Sequence, residues 1–221
     1  MDTLVLAFDI ERSGCGREHD TIGLGACVMD YEMNELDRFF FSCYLPKETV
    51  FEQRCWDEFW VNNLDILEQL KYEGSQSKKE REKEMIVSFQ EFRKKWEKYA
   101  ENNGKILVLT SDNKVYDGGF VNQLIFEHMP GTLPIPYSAE KQKYSAFFET
   151  HSAQRGLLYS VCPSYDKNRG LSEKVLKLYE GIPEQNKTHS HNPADDAYTI
   201  AFDQQVLFGI KNEKYTLKKS T

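Results

Sequence analysis

The chain has no pair of cysteines at CxxC spacing, and its five cysteines, at positions 15, 27, 43, 55 and 162, are an odd number. That argues against a disulfide framework or a thiolate zinc site. Cys27, Cys43 and Cys15 lie in or beside strand-like runs, as small thiols of a reducing compartment do. No stretch approaches the roughly 18 consecutive apolar residues of a membrane span, and no basic-then-apolar leader precedes the first strand-like run. We therefore expect an intracellular protein, cytoplasmic or nuclear, without a membrane partner. Basic charge is also short: 28 Lys and Arg stand against 35 Asp and Glu, for a net charge of −7. This excludes a broad duplex-coating surface but allows a short or end-specific nucleic-acid site, where few phosphates are gripped. Internal repeats and low-complexity segments are absent, which excludes solenoid architectures.

At 221 residues with 40% hydrophobic content, the chain has enough material for one large domain. LVLAFDIE (4–11) is a continuous apolar run, the pattern of a central strand buried on both faces. TIGLGACVMD (21–30) and LDRFFFSCYL (36–45) are the next strands, joined by a turn at YEMNE. A helix is expected over 55–70, with Phe59, Leu64, Leu67 and Leu70 near helical spacing. GSQS (74–77) breaks the chain, and Ser77 is placed to cap a helix carrying the apolar stripe Met85, Phe89, Phe92, Trp96 and Tyr99. Its KKEREKE start is most simply a solvated charged turn. KILVLTSD (105–112) is a further strand and DGGFVNQLIFEHM (117–129) a helix. The stretch 130–170 is loop-rich, 171–179 a short helix and 192–208 the last helix. This order implies an α/β fold, a central mixed sheet flanked by helices, as a single domain over 1–210 with a frayed tail at 211–221.

Titratable chemistry gathers at HNPADDAYTIAF (191–202). Asn192 is placed as N-cap, Pro193 at N1 and Asp195 at N3, each with a plain helix-start explanation. His191 and Asp196 fall at N′ and N4, where a hydrophobic staple would put two apolar residues in contact. They form either a structural hydrogen-bonded pair or part of a site. Upstream, Asp9 and Glu11 of FDIE sit at i and i+2 of a strand, so both carboxylates share one face. Two acids there repel each other and lose solvation unless a cation lies between them or the strand end is solvated. Asp117 follows the strand KILVLTSD and opens a helix, with Gly118 and Gly119 behind it to permit close approach. Together with Asp196 these would make a four-carboxylate cluster of hard oxygen donors, suited to Mg²⁺ or Mn²⁺.

In order and spacing, FDIE, SDNKVYDGGFV and HNPADD resemble the three motifs of the DEDDh, or DnaQ-like, 3′–5′ exonucleases of the RNase H-like superfamily. The resemblance covers residues 4–205. DNKVYD (112–117) stands for the second motif, with Asp112 where that family commonly has His, and His191 with Asp196 stands for the third. The tyrosine variant of the superfamily would need Tyr at position 192; Asn192 makes this the histidine type. The resemblance implies an RNase H-like fold and cleavage of 3′-terminal or single-stranded nucleic acid, DNA slightly ahead of RNA. It implies two Mg²⁺ or Mn²⁺ ions held by Asp9, Glu11, Asp117 and Asp196, with His191 as general base. Arg12, Ser13 and Gly14 fall where the family grips the terminal nucleotide, and Asn113 matches the Asn of the second motif.

Smaller features are more ambiguous. Trp56, Phe59 and Trp60 are either base-stacking rings or helix core, and Trp60 is taken as a substrate-binding candidate. His189 forms an HxH pair with His191 but lacks a third soft ligand, so an exposed loop histidine is the simpler account. The loop before Asn192 is rich in His, Ser and Asn, so His191 is expected to be loosely held. An exoribonuclease of the same fold and a non-catalytic nucleic-acid-binding module remain the alternatives.

Overall fold

A computed structural model describes residues 3–131, 133, 145–161, 171–185 and 190–218. A five-stranded mixed sheet has the order β3-β2-β1-β4-β5, built from β1 (Thr3–Arg12), β2 (Thr21–Met29), β3 (Glu35–Ser42), β4 (Ile106–Ser111) and β5 (Ser145–Glu149). The first three strands form an antiparallel meander, while β4 runs parallel to β1 and β5 parallel to β4. Helices cover both faces, so β1 and β2 have no solvent side, which is why their sequences run apolar without alternation.

Alternation still decides which face each side chain serves. Leu4, Leu6, Phe8 and Ile10 pack with Met85, Phe89 and Trp96 of α3 (Lys78–Asn102) and with Val121 and Ile125 of α4 (Gly119–His128). Val5 and Ala7 face the other way, onto Ala197, Ala201 and Phe202 of α7 (Pro193–Lys211). Asp9 and Glu11 continue this second set, so their carboxylates emerge on the α7 side of the sheet. No helix among the described residues is long and apolar enough to cross a membrane.

Several expectations are corrected. The helix expected over 55–70 is broken into α1 (Gln53–Glu58), a 3₁₀ turn (Trp60–Asn62) and α2 (Leu64–Gln69). Trp60 is fully buried in the 3₁₀ turn, and the Asn62–Asn63 pair favours the break. The KKEREKE turn is not simply solvated. Lys78 pairs with the buried Asp20, and the Arg81 guanidinium lies between the Phe41 and Tyr72 rings, at 4.0 and 3.9 Å. At the start of α3, Glu80 accepts from the Ser77 backbone N–H at 2.8 Å, the expected cap in reciprocal form. In the stripe, Met85, Phe89 and Trp96 are buried, but Tyr99 is largely exposed.

Within 130–170, β5 and α5 (Thr150–Val161) replace the expected loop; Thr150, at their junction, ties them to the core by a 2.7 Å hydrogen bond with Thr110. After α6 (Leu171–Leu178), β6 (Tyr179–Glu180) pairs with β7 (Thr216–Leu217), so the described part of the expected frayed tail is fastened. Tyr215 anchors it by packing on Gly209, where a β-carbon would collide with the ring. Among the described cysteines none forms a disulfide: Cys27 and Cys43 are buried, Cys55 is half-buried and Cys15 is exposed. Cys162 and His189 lie outside the described residues.

Candidate active site

The strand meander sets up a flat bed for the start of α7. Asp9 pairs with Gly25 across β1 and β2, and Glu11 pairs with Gly23. Directly opposed residues share a face, so both acids stand beside a glycine, and the helix can descend onto bare backbone. A β-carbon on Gly25 would overlap the Pro193 carbonyl group and the Ala194 nitrogen; one on Gly23 would touch the Pro193 ring at 3.4 Å. This close approach brings residues 190–196 to the two carboxylates. The GLG spacing inside an apolar strand is the sequence signal for this close approach. Gly25→Ala is expected to push the start of α7 off the sheet, costing about 1–3 kcal/mol of stability. Metal binding should weaken with it, and a chemical melt combined with Mn²⁺ titration measures both.

The start of α7 is built as expected. Asn192 caps it by accepting from the Ala194 N–H at 3.0 Å, and Pro193 occupies N1. Asp195 points away to a 2.6 Å ion pair with Arg38 of β3, so its role is structural. Asp196, 1% exposed, turns back and accepts from the backbone N–H groups of Ser190 and His191 at 2.7 and 2.9 Å. His191 takes a left-handed backbone conformation, φ 62°, and its ring meets Phe59 edge-on with centroids 4.5 Å apart. The expected looseness is therefore absent: two carboxylate-anchored amides and an aromatic contact hold this residue. A left-handed non-glycine residue costs about 1–3 kcal/mol and is kept where its surroundings over-determine it.

Two groups of donors result. A ring nitrogen of His191 and carboxylate oxygens of Glu11 and Asp196 lie within 4.8 Å of one another. Oxygens of Asp9, Asp112 and Asp117 do the same. The groups are neighbours, since the Asp9 carboxyl feels the charges of Glu11, Asp117, Asp112 and Asp196. The four expected acids thus converge, and Asp112 joins them.

Burial first, and then these like charges, raise the Asp9 pKa well above the usual carboxylate range. Burial also pushes Asp117 up to about 9, helped by a hydrogen bond and repulsion from Asp112. Asp9 is only 9% exposed, yet its Oδ2 has no hydrogen-bond partner among the described residues. An orphaned carboxylate oxygen among like charges is costly without a cation. The donor set is four or more carboxylates and one imidazole, without thiolate, which fits Mg²⁺ or Mn²⁺.

Asp117 reaches the cluster from a π-type turn (Lys114–Gly118) between β4 and α4, and its carboxylate accepts from the Asn113 N–H at 3.2 Å. The Asn113 side chain caps that turn by accepting from the Tyr116 N–H at 3.1 Å, which assigns it a structural task. Gly119 has open space where a β-carbon would be, so access from its side is not blocked.

The other substrate-binding candidates fare unevenly. Trp60 is corrected: at 0% exposure it has no ring face for a base, and its Nε1 donates to the Arg12 carbonyl at 3.0 Å. Ser13 is buried and its hydroxyl is used twice, donating to the Val50 carbonyl and accepting from the Asp20 N–H. Gly14 is crowded beneath His19 and Glu52, whose Cβ stands 2.6 Å from any added β-carbon, so it serves packing and not nucleotide contact. Arg12 is buried with its guanidinium 3.5 Å from the Phe120 ring centroid and hydrogen-bonded to the His19 carbonyl. Its Nε and Nη1 have no partner among the described residues, and burial lowers its pKa. Trp56 and Phe59 are half-buried, and the Phe59 ring lies edge-on against His191.

Comparison of the chain with models of known protein families gives no match, and comparison with curated proteins gives none. The functional reading therefore rests on the residues and their geometry.

Proposed function

We propose that the chain is a metal-dependent 3′–5′ exonuclease with an RNase H-like, DnaQ-like fold. In this reading it hydrolyses phosphodiester bonds at the 3′ ends of nucleic acid, DNA ahead of RNA. The observation that carries the proposal is the buried Asp9 carboxylate, with an orphaned oxygen, facing Glu11, Asp117 and Asp196 while His191 stands in the same cluster. A protein that merely binds nucleic acid has no use for clustered negative charge facing phosphates. When bound, two Mg²⁺ or Mn²⁺ ions would supply a water of lowered pKa and neutralise charge on the attacking and leaving oxygens.

Asp9, Glu11, Asp117 and Asp196 would hold those ions. His191, fixed at its ring by Phe59 and at its backbone by Asp196, would take the water's proton at a ring nitrogen. The half-buried ring of Phe59, beside His191, offers stacking surface to an unpaired terminal base. The preference for DNA over RNA rests on the motif resemblance. An exoribonuclease of the same fold is the alternative.

The test is digestion of single-stranded DNA, duplex DNA and RNA, each labelled at either end, with Mg²⁺, with Mn²⁺ and with chelator. Metal-dependent shortening from the 3′ end, faster on DNA, is the expected result. Faster loss of RNA would select the exoribonuclease. No cleavage with either ion, or shortening from the 5′ end, would overturn the proposal.

A further inference from the structure

We propose that Asp112 is itself a metal ligand, sharing an ion with Asp9 and Asp117, so that the centre is built on five carboxylates. The inference rests on the exonuclease reading and extends it to a residue which that motif pattern does not supply: the family commonly has His at this position.

The first argument is register. β4 lies parallel beside β1, and their last recorded pair is Ala7 with Thr110. Two residues further along come Asp9, on β1, and Asp112, the first residue after β4, so the strand register delivers the second carboxylate to the first. The π-type turn then returns Asp117 to the same point. The outcome is one oxygen from each of the three side chains within 4.8 Å of the others.

The second argument is what the Asp9 carboxylate lacks. Asp9 Oδ2 is buried, belongs to a residue 9% exposed, and has no hydrogen-bond partner among the described residues. A structural acid in this position would be paired with a backbone N–H or a basic side chain, as Asp20 is with Val50 and Lys78. A cation would give this orphaned oxygen a partner, and the Asp112 and Asp117 oxygens stand close enough to share it. The turn needs no help from the Asp112 side chain, because Asn113 already caps it.

Isothermal titration of Mn²⁺ into the full chain, without nucleic acid, tests this. Asp112→Asn keeps a side chain that can hydrogen-bond Asp117 but removes the anionic donor, so it separates ligation from simple positioning. Wild type should bind Mn²⁺ at two sites. Asp112→Asn should weaken one of them by about tenfold or more, as Asp117→Asn does, while Asp196→Asn weakens the other. The double variant Asp112→Asn with Asp117→Asn should lose less than the product of the two single effects, because both act on one ion. A thermal melt in chelator confirms that Asp112→Asn is folded, and removal of a repelling charge should raise its melting temperature. If Asp112→Asn binds Mn²⁺ within twofold of wild type while Asp117→Asn is weakened, Asp112 is no ligand and the exonuclease reading survives. If the wild type takes up no Mn²⁺ at millimolar concentration, both proposals fall.

Discussion

Asp9→Asn should reduce cleavage to below about a thousandth of wild type and, in chelator, melt at a higher temperature than wild type. The loss follows from the position of Asp9: its carboxyl feels all four other acids, and its Oδ2 is committed to no protein partner among the described residues. Removing it forfeits several kcal/mol of charge stabilisation, at tenfold in rate for about 1.4 kcal/mol. The gain in stability has the same origin. An amide places N–H donors among neighbouring carboxylates and removes a buried acid that is crowded by like charges. One kcal/mol of relief moves the melt of a chain this size by about 2–4 °C. Scanning calorimetry with and without Mn²⁺ is the check. Inactivity accompanied by a lowered melt would assign Asp9 to holding the fold.

The same cluster predicts the pH dependence of the metal-free protein. Asp117 keeps its proton up to about 9 in the folded chain, against an ordinary 3.8, and Asp9 is raised in the same direction. A raised acid binds a proton in the native state that the unfolded chain has released. Its favourable contribution is complete below the unfolded value and is lost as pH rises through the folded one. Melting temperature in chelator should therefore fall between about pH 4 and about 9 on the account of these two groups. Saturating Mn²⁺ should flatten that slope, because the ion takes the place of the protons. A chelated melt that rises across this range would show that the acids are not packed as described.

How much of this could be foreseen depends on which signal carried it. The i, i+2 spacing of Asp9 and Glu11 on an apolar strand fixed their common face, and the Asn-Pro-Ala-Asp-Asp string located both the cap and Asp196. Those are local rules, and they survive packing. The two glycines facing Asp9 and Glu11 were equally legible but were passed over, since their purpose appears only when α7 lies on them. Asp112 looked like a departure from a pattern; its place in the cluster depends on the parallel register of β4 against β1, a long-range fact. Trp60 shows the converse. Aromatic residues near a site suggest stacking, but the need of its indole N–H for the Arg12 carbonyl, and of its ring for Phe51 and Phe59, draws it into the core. The β5–α5 unit carried no clean periodicity, so its formation depends on the β4 edge it completes.

His191→Ala should slow cleavage by about 10²–10⁴, the usual share of a positioned general base, while leaving Mn²⁺ affinity close to wild type. The reasoning begins with the backbone. His191 lies in the left-handed region, and its N–H, with that of Ser190, is held by the Asp196 carboxylate. Alanine keeps that N–H, so Asp196 remains aimed at Glu11 and the carboxylate donors are undisturbed. What disappears is the ring seated edge-on against Phe59, and with it the group proposed to accept the water's proton. Asp196→Asn has the opposite profile: it removes a proposed ligand and also weakens the anchoring of residues 190 and 191, so both metal binding and turnover should fall. Phe59→Leu tests the geometry between these extremes, since it frees the ring without altering any donor; turnover should drop, by less than in His191→Ala, with unchanged metal affinity. Mn²⁺ titration and single-turnover cleavage of the three variants, measured together, resolve the roles. If His191→Ala loses Mn²⁺ as severely as Asp196→Asn, the imidazole is coordinating an ion through the ring nitrogen that already lies within 4.8 Å of the Glu11 and Asp196 oxygens, and a different group must take the proton.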